Sequence, residues 1–552
     1  MIKERFIKDY IEGSIKKYWD YEVYTDIGGN TYKYSDVAHY IIKMHILFDK
    51  LGIKRGDKIA LIGKNSSAWT MTYLSVVTYG AVIVPVLQDF HPREVHHVVD
   101  HSDAVLFFAA RAKWQDLDFD QMPKLKAVFT IDPLTLVASR LDMDTENILN
   151  SVEEEFMQKY PQGLKPEDID FPDIPNSELV EISYTSGSTG NPKGVMLPAN
   201  SLAANINFAN RHMELNPGDH LVSILPLAHS FGCAFEFLWP FNRGTHIFFL
   251  TRKPSPQVLL KAYADYRPHL ILSVPLVFEK IYKGKVLPVI SKFPVNFLIK
   301  VPGIKQLLYK KIRQGLIDAL GGRFREVVLG GAPLNYEVEE FFRKIRFPYT
   351  VGYGMTECGP LISYAGWKIT KFRSAGKVVD TLEAKVIYDG DNKDMGEIVV
   401  RGENVMQGYY KNPEATRQAI DQDGWLHTGD LGHIDEDGFI FINGRAKSLL
   451  LGPSGENIFP EDIESLYQNK PYIAEILVVM RDNFRLVAMI YPDFEQMKKD
   501  GIDVDQLPEI FEEYRKEINH LLPKYKHVSA IEIRQEEFEK TPKRNIKRFL
   551  YQ

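Results

Sequence analysis

Short apolar runs alternate with longer amphipathic stretches through the first two-thirds of this chain of 552 residues, and this alternation constrains the fold more than any other feature. Short runs rich in β-branched and aromatic residues are typical of buried strands, and the stretches between them have helical spacing. Such alternation predicts an α/β protein with largely parallel sheets. The predicted strands are 58–62, 81–86, 104–110, 126–131, 220–225, 245–250, 269–274 and 325–330, and the predicted helices include 152–160, 201–213, 257–266 and 336–345.

The pattern changes after Gly376, where short strands follow one another closely with turn signals between them. These signals predict a small antiparallel β region, and they are Asp389-Gly390, Asp437-Gly438 and Asn443-Gly444. A small α+β unit follows, with predicted helices near 461–468 and over 508–521 and strands at 475–480 and 486–492. We therefore expect two domains, a large N-terminal one over 1–445 and a small mobile one over 446–552.

Composition excludes several classes of protein. The net charge of −6 gives no basic footprint for nucleic acid, so we expect no nucleic-acid partner. Two cysteines, Cys233 and Cys358, cannot build a disulfide framework, which favours a reducing, cytoplasmic setting. Residues 65–88 carry no charge, but seven Ser, Thr and Asn residues and Gly80 favour a buried helix over 68–79 and then a strand, not a membrane span.

A loop rich in Gly, Ser and Thr runs from Tyr184 to Gly194, directly after the apolar run 179–183. Small residues let backbone N–H groups face an anion, hydroxyls add donors, and Lys193 adds positive charge. The loop therefore predicts a phosphate site, and it is not the Walker arrangement GxxxxGK[ST]. Its candidate phosphate ligands are Thr185, Ser186, Gly187, Ser188, Thr189, Gly190 and Lys193.

This loop resembles the phosphate-binding loop of the adenylate-forming superfamily, which includes acyl-CoA synthetases, peptide-synthetase adenylation domains and luciferases. Further matches follow in family order over most of the chain, at Pro226–His229, Gly330–Pro333, Gly352–Glu357, Gly424–Asp430 and Gly444–Lys447. The resemblance implies that the chain uses ATP, Mg²⁺ and coenzyme A to convert a carboxylic acid into an acyl-adenylate and then an acyl thioester.

The residues of these motifs suit such chemistry. Glu357 is a hard oxygen ligand for Mg²⁺, Tyr353 offers a flat face to a purine, and Asp430, expected in a loop between strands, can accept both ribose hydroxyls. The resemblance implies catalytic roles for Lys193, Thr356 and Glu357. It implies nucleotide binding by Gly330, Gly331, Ala332, Pro333, Tyr353, Gly354, Thr356, Asp430 and Arg445.

The resemblance also places the acid and the moving domain. His229 falls near the carboxylate and acyl pocket, which makes it a substrate-binding residue and not an acid–base catalyst. Phe231 and Gly232 either line the acyl tunnel or pack in the core, and the sequence does not separate these roles. Lys447 corresponds to the hinge about which the small domain rotates between two catalytic poses.

Residues 455–460 and the tail 540–548 resemble the long-chain fatty acid–CoA ligases, so a fatty acid is the expected substrate. The family's catalytic tail lysine aligns with Asn545, and Lys543 is the candidate replacement. Two alternatives stay open. The chain could be an acyl-AMP ligase that loads a carrier protein, or a fatty-acid or acyl-adenylate binding protein with weak activity.

Residues 280–317 contain nine Lys and Arg residues, no acidic residue and many interleaved apolar residues. A basic, apolar surface segment broken by prolines can rest on anionic lipid headgroups, which would place the protein at the inner face of a membrane. An ordinary solvated insertion fits the same residues. The sequence leaves both interpretations open.

Overall fold

The central element of the computed structural model is an eight-stranded sheet. The structure describes residues 2–142, 144–185, 192–252, 255–388, 395–452, 456–468, 470–540 and 546–551. Five inner strands of the sheet run parallel, and the remaining strands pair antiparallel at its two ends. In spatial order the strands are Gly408–Tyr409, Lys193–Pro198, Leu179–Thr185, Val82–Val86, Lys58–Ile62, Ala104–Ala109, Ala127–Ile131 and Leu134–Ser139.

A second layer is built from two smaller sheets that a parallel bridge between Leu221 and Leu270 connects. The first contains the strands His220–Ser223, His246–Phe249, Glu22–Asp26 and Thr31–Lys33 in spatial order. The second is parallel and contains Ile271–Ser273, Val327–Leu329 and Tyr349–Val351. The eight predicted strands are all present in these sheets, which confirms the predicted α/β class.

The helix Ser67–Tyr79 is buried along almost its whole length because it packs against both the eight-stranded sheet and the strand Glu22–Asp26. Ser66 caps its start by accepting a hydrogen bond from the backbone N–H of Trp69, and Gly80 ends it in the left-handed conformation. Burial on all sides explains why this part of the sequence lacks charge. No helix in the described ranges has both the length and the apolar character that crossing a bilayer requires.

The other helices cover the sheets or connect their strands. The longer α-helices are Tyr34–Lys50, Pro92–His101, Thr145–Lys159, Ala199–His212, Pro256–Tyr266, Pro275–Ile281, Ile304–Ala319, Tyr336–Lys344, Pro413–Ala419, Pro460–Gln468, Phe494–Asp500 and Leu507–Leu521. Shorter α-helices are Gly13–Lys17, Arg111–Trp114, Ser230–Gly232, Trp239–Asn242, Leu287–Ser291 and Val295–Leu298. Wider π-helical turns span Phe6–Glu12, Cys233–Leu238 and Tyr282–Val286.

The region after Gly376 is antiparallel, as predicted, with strands Leu382–Ile387, Gly396–Gly402, Leu426–Ile434 and Ile440–Arg445. A three-stranded sheet precedes it, with strands Tyr353–Gly354, Leu361–Tyr364 and Lys377–Val378. The turn at Asp437-Gly438 is present, but Asn443-Gly444 lies inside a strand, so that turn prediction is wrong. The predicted turn at Asp389-Gly390 lies outside the described residues.

The C-terminal segment has a sheet of its own, with strands Ile473–Arg481, Arg485–Pro492 and Val528–Ile533. A two-stranded ribbon, Leu450–Leu451 with Asn457–Ile458, precedes it. The hydrophobic clusters around this sheet draw their described residues from Leu450 onward, whereas the clusters of the larger sheets draw theirs from the preceding part of the chain. The small unit therefore has its own core.

The glycine that ends the buried helix supports a stability prediction. Gly80 has φ of +91°, and a Cβ there would lie 3.1 Å from Ile174 Cδ1, so Gly80→Ala should lower the apparent Tm by about 1–2 °C. Gly315→Ala is the matched control, because Gly315 lies inside the helix Ile304–Ala319 with open space around its Cα. That variant should keep or raise Tm. Differential scanning fluorimetry of both variants checks the opposite signs, and equal shifts would contradict this account.

Candidate active site

The carboxyl group of Asp430 is buried and is held by two other predicted nucleotide residues. Tyr353 donates its hydroxyl to Asp430 Oδ2 at 2.6 Å, and Arg445 Nε lies 2.9 Å from Asp430 Oδ1. Burial raises the pKa of the Asp430 carboxyl, while the charge of Arg445 and the Tyr353 hydroxyl lower it. The fold therefore brings these three predicted residues into one cluster.

The expectation that Asp430 lies in a loop is wrong. Asp430 lies in the strand Leu426–Ile434, directly opposite Arg445 in the adjacent strand Ile440–Arg445. The glycines around Asp430 suggest a turn, but Gly432 serves a close contact between strands. A Cβ at Gly432 would lie 2.1 Å from the carbonyl oxygen of Phe441.

A second cluster connects the predicted metal ligand to the predicted phosphate lysine. Tyr409 donates its hydroxyl to Glu357 Oε1 at 2.8 Å, and Lys193 Nζ lies 5.1 Å from the centre of the Tyr409 ring. Glu357 is nearly buried, whereas Lys193 is exposed. The aromatic ring thus separates a carboxylate from an ammonium group and keeps Lys193 available to an anion.

Sequence reasoning missed Tyr409, because no motif marks it. Its strand Gly408–Tyr409 pairs antiparallel with Lys193–Pro198, which follows the phosphate loop. The backbone N–H of Tyr410 also donates to the carbonyl oxygen of Gly194 at 2.8 Å. Only this pairing of distant segments shows that Tyr409 belongs to the site.

The predicted phosphate loop connects two antiparallel strands, with Thr185 and Lys193 directly opposite each other at its base. Beneath them, the Tyr184 hydroxyl lies 2.7 Å from His101 Nδ1, which ties this base to the helix Pro92–His101. The other candidate ligands, Ser186, Gly187, Ser188, Thr189 and Gly190, lie outside the described residues. The described part of the loop therefore supplies Thr185 and Lys193.

The donor set around Glu357 fits Mg²⁺. No group of three or more His, Cys, Asp or Glu side chains suited to a metal occurs among the described residues, so a cage made only of protein ligands is not found there. Mg²⁺ in nucleotide sites is usually held by one or two carboxylates, waters and substrate phosphates. Glu357 Oε1 is oriented by Tyr409, and its carboxylate can supply the protein's share of such a site.

The predicted acyl and nucleotide segments contact each other. Gly330 follows the strand Val327–Leu329, and the Phe231 ring lies so close that a Cβ at Gly330 would come within 2.9 Å of it. Gly331, with φ of +85°, turns the chain outward, and Ala332 and Pro333 are exposed beyond it. A glycine is thus required where the two predicted binding segments meet.

His229 is half-buried and caps the short helix Ser230–Gly232, with Nδ1 accepting from the N–H of Phe231 at 3.3 Å. The hydroxyl of the next residue, Ser230, lies 3.5 Å from that of Thr356. Gly354 belongs to the strand Tyr353–Gly354, which comes just before Thr356 in the chain. The predicted acid-binding segment therefore borders the motif that carries Glu357.

Of the predicted residues beyond Arg445, the structure describes Lys447. Lys447 is exposed in a single 3₁₀ turn, Ala446–Ser448, directly after the strand that ends with Arg445. Lys543 and Asn545 lie outside the described residues. The described nucleotide, phosphate and acyl residues therefore contact one another within these clusters, and no described contact joins Lys447 to them.

A family model described as AMP-binding enzyme matches residues 11–410. This range includes Lys193, Glu357 and Tyr409 of the second cluster and Tyr353 of the first, whereas Asp430 and Arg445 lie beyond it. The chain belongs to this family.

Curated relatives of this AMP-binding enzyme carry related names. Fatty acyl-CoA synthetase A of Dictyostelium discoideum is 28% identical over 477 residues, which cover 82% of this chain and 70% of the relative. Long-chain-fatty-acid–[acyl-carrier-protein] ligase AEE15 of Arabidopsis thaliana is 27% identical over 522 residues, covering 81% and 70%.

A solved structure shares the fold over almost the whole chain. It is o-succinylbenzoate coenzyme A synthetase (MenE) from Bacillus subtilis in complex with ATP and magnesium ion, with a TM-score of 0.73, 19% identity and 98% of each chain covered. These findings confirm the family resemblance and the fold class. They also confirm the predicted type of reaction. A carboxylic acid is activated with ATP as an acyl-adenylate, and its acyl group is then transferred to a thiol.

Loss of either charged side chain in the Lys193–Glu357 cluster should impair turnover in this AMP-binding enzyme. Lys193→Ala and Glu357→Ala should each lower kcat/KM by about a hundredfold, the scale of losing one charge-stabilising group. Lys385→Ala is the matched control, because Lys385 is also exposed and lies 4.1 Å from the Trp425 ring centre, outside the site. Pyrophosphate release measures all three, and wild-type kinetics in the first two variants would refute the assignment.

The Tyr409 hydroxyl should tune metal use. Tyr409→Phe keeps the ring beside Lys193 but removes the donor to Glu357, so the Mg²⁺ concentration for half-maximal rate should change by about tenfold. Tyr410→Phe removes the neighbouring hydroxyl, which donates to Asp103 at 2.7 Å, and should leave the Mg²⁺ requirement unchanged. A Mg²⁺ titration at saturating ATP separates the two, and identical curves would show that Tyr409 has no part in the site.

Proposed function

We propose that this AMP-binding enzyme is a long-chain fatty acid–CoA ligase that forms acyl-CoA, AMP and pyrophosphate. The observation that carries the proposal is the path of the chain after His229. The π-helical turn Cys233–Leu238 leads from the acyl segment into the core, and its described side chains are all buried and, apart from Glu236, apolar. A long alkyl chain with its carboxylate near His229 suits such apolar surroundings, and the names of the relatives agree with this substrate.

A carboxylate is a poor electrophile, because hydroxide or oxide would have to leave. Its attack on the α-phosphorus of ATP gives an acyl-adenylate, from which a thiol can displace AMP. Lys193 and the phosphate-loop donors stabilise charge on the departing pyrophosphate, and Asp430 and Tyr353 hold the nucleoside. Glu357 would hold bound Mg²⁺, which would supply neutralising charge at the phosphates. Both cysteines are buried, and the scheme needs no cysteine nucleophile.

The acyl acceptor distinguishes this proposal from its alternatives. Purified enzyme with palmitate, ATP and Mg²⁺ should release AMP at a sustained rate only when coenzyme A is present. Sustained release with a phosphopantetheinylated carrier protein, and none with coenzyme A, would favour the carrier-loading function of which AEE15 is a named example. Tight palmitate binding with no release of AMP or pyrophosphate would leave a binding protein.

The division into a large domain over 1–445 and a small domain over 446–552, with Lys447 as hinge, belongs to the same proposal. In the observed pose, the helix Pro460–Gln468 of the small domain rests on the large one. Asn335 Nδ2 donates to the carbonyl oxygen of Ser465 at 2.8 Å, and Lys283 Nζ donates to that of Gln468. Rotation about Lys447 would break these contacts, and few other residues need to change conformation.

Lys543 is the proposed tail cation in place of the lysine absent at Asn545. The described lysines beside it are already paired, since Lys540 contacts Glu475 and Glu537, and Lys547 lies 3.5 Å from Glu539. The backbone bridge between Lys540 and Ile546 brings the ends of the intervening segment together.

The tail proposal predicts a selective loss. Lys543→Ala should slow acyl-adenylate formation and spare CoA transfer from supplied acyl-AMP, because the charge acts on the α-phosphate. Asn545→Lys should restore adenylation in that variant. Adenylation at the wild-type rate in Lys543→Ala would refute the replacement.

The basic segment 280–317 supports peripheral binding to an anionic bilayer. Its described structure is a set of helices, of which Ile304–Ala319 is the longest. Six of its apolar side chains are exposed, and Phe293 is 82% exposed; the others are Leu287, Val289, Phe297, Ile304 and Leu307. Its exposed lysines are Lys280, Lys285, Lys292, Lys300, Lys305, Lys310 and Lys311. Exposed apolar and cationic groups together match the lipid headgroup boundary.

Vesicle binding tests this surface. Replacing Lys305, Lys310 and Lys311 with Gln should weaken binding to phosphatidylserine vesicles by about 1 kcal/mol per charge. The matched control replaces Lys498, Lys499 and Lys524, which are equally exposed on the small domain and change the net charge by the same amount. Co-sedimentation of both triple variants gives the comparison. Equal binding by both and by the wild type would leave a solvated insertion.

A further inference from the structure

The segment Ile224–Ala228 connects the strand His220–Ser223 to the His229 helix, and most of it is buried although it belongs to no strand or helix. Buried backbone N–H and C=O groups need hydrogen-bond partners. Here side chains supply them. Glu236 Oε2 accepts from the N–H of Ile224 at 2.9 Å and from that of Leu225 at 2.8 Å.

The same oxygen of Glu236 accepts from the Ser223 hydroxyl at 2.9 Å, so three donors at the end of the strand converge on one side chain. Asn65 supplies two further bonds to the segment. Its Nδ2 donates to the carbonyl oxygen of Leu225 at 2.6 Å, and its Oδ1 accepts from the N–H of Leu227 at 3.1 Å. Two side chains thus take the place of a neighbouring strand.

The segment also packs against the turn that carries Glu236. A Cβ at Gly232 would lie 2.4 Å from the carbonyl oxygen of Pro226, so the backbones touch. The N–H of His229 donates to that same oxygen at 3.0 Å. Glu236 therefore binds, from within the following π-helical turn, the loop that holds His229 in place.

Glu236 is completely buried, and its Oε1 has no hydrogen-bond partner among the residues that the structure describes. Burial raises the pKa of the Glu236 carboxyl to about 8, even though the three hydrogen-bond donors act to lower it. The raised pKa favours the protonated carboxyl, which avoids an unpaired buried charge. A neutral glutamine could take over its hydrogen bonds.

We propose that Glu236, assisted by Asn65, is a positioning residue that sets the affinity for the acid by holding the segment 224–229 and, through it, His229. The proposal rests on the proposed acid-binding role of His229. Glu236 does not touch the nucleotide clusters in any described contact, so its loss should act on the acid and spare ATP.

The expected pattern is selective. Glu236→Ala should raise KM for the acid by about tenfold or more, while the dissociation constant for ATP stays within about twofold. Glu236→Gln should stay within about threefold of the wild type in both, since its amide oxygen can accept the same bonds. Asn65→Ala should shift in the same direction as Glu236→Ala.

A buried carboxyl elsewhere provides the matched control. Glu326 is also buried, and it accepts from the Tyr364 hydroxyl and from the N–H of Trp367 at 3.2 Å, away from the segment. Glu326→Ala should lower the stability of the protein, and any effect on the KM for the acid should be matched by a similar effect on the affinity for ATP. It shows what a purely structural loss looks like.

Two measurements test the proposal on the full-length enzyme. Pyrophosphate release over a panel of carboxylic acids gives KM for whichever acid the wild type activates, and calorimetry gives ATP affinity. Hydrogen exchange of the peptide 221–230 reports directly on the amides of Ile224 and Leu225. Their exchange should speed up in Glu236→Ala and not in Glu236→Gln.

The outcomes are distinct. A wild type that activates only acids other than fatty acids overturns the proposed function. The same variants then test the positioning role of Glu236 with the acid that the wild type does activate. Three results would each overturn the positioning role of Glu236. They are an unchanged KM for the acid in Glu236→Ala, a parallel loss of affinity for acid and ATP like that expected in Glu326→Ala, and unchanged hydrogen exchange over 221–230 in Glu236→Ala.

Discussion

The active-site segments of this AMP-binding enzyme leave the regular sheets while they are still buried, so side chains must complete the hydrogen bonds of their backbone. Asn205 does this beside the predicted metal ligand. Its amide donates to the carbonyl oxygen of Cys358 at 3.1 Å and accepts from the N–H of Leu361 at 3.0 Å. The N–H of Met406 donates to the carbonyl oxygen of Glu357 at 2.8 Å. Glu236 and Asn65 play the same part on the acyl side.

The polar side chains of the site are likewise held by hydrogen bonds before any substrate binds. Asp430 and Glu357 each receive a tyrosine hydroxyl, from Tyr353 and Tyr409, and the charge of Glu357 contributes to raising the pKa of the Asp430 carboxyl. Two nearby carboxylates repel each other, and a divalent cation would offset that repulsion. Groups already oriented need little rearrangement when charge develops on the phosphates, which is the main requirement for electrostatic catalysis.

The surface that we propose for lipid lies next to the contact between the two domains. Lys283 belongs to the basic segment by sequence, yet its ammonium group donates to the small domain at Gln468. Its neighbours Lys280 and Lys285 are exposed. A single basic stretch thus carries both a contact with the helix Pro460–Gln468 and the surface that we propose for lipid.

Local pattern determined much of the fold by itself. The strand predicted at 58–62 is Lys58–Ile62, and the helix predicted over 68–79 is Ser67–Tyr79, because periodicity and capping residues act over a few neighbours. The half-exposed edge strand Leu134–Ser139 was not among the predicted strands. The composition of the phosphate loop predicted an anion site, and the resemblance of the ordered motifs to the adenylate-forming superfamily implied the type of reaction.

Tertiary structure decided which residues meet. Nothing near Tyr409 in the sequence indicates that its strand joins the phosphate hairpin, and nothing near Glu236 indicates that it binds the backbone of Ile224 and Leu225. Asp430 was expected in a loop but lies in a strand beside Gly432, and a glycine needed for close strand contact looks in sequence like one needed for a turn. Partner choice across long separations depends on packing of whole sheets, and a local pattern carries no record of it.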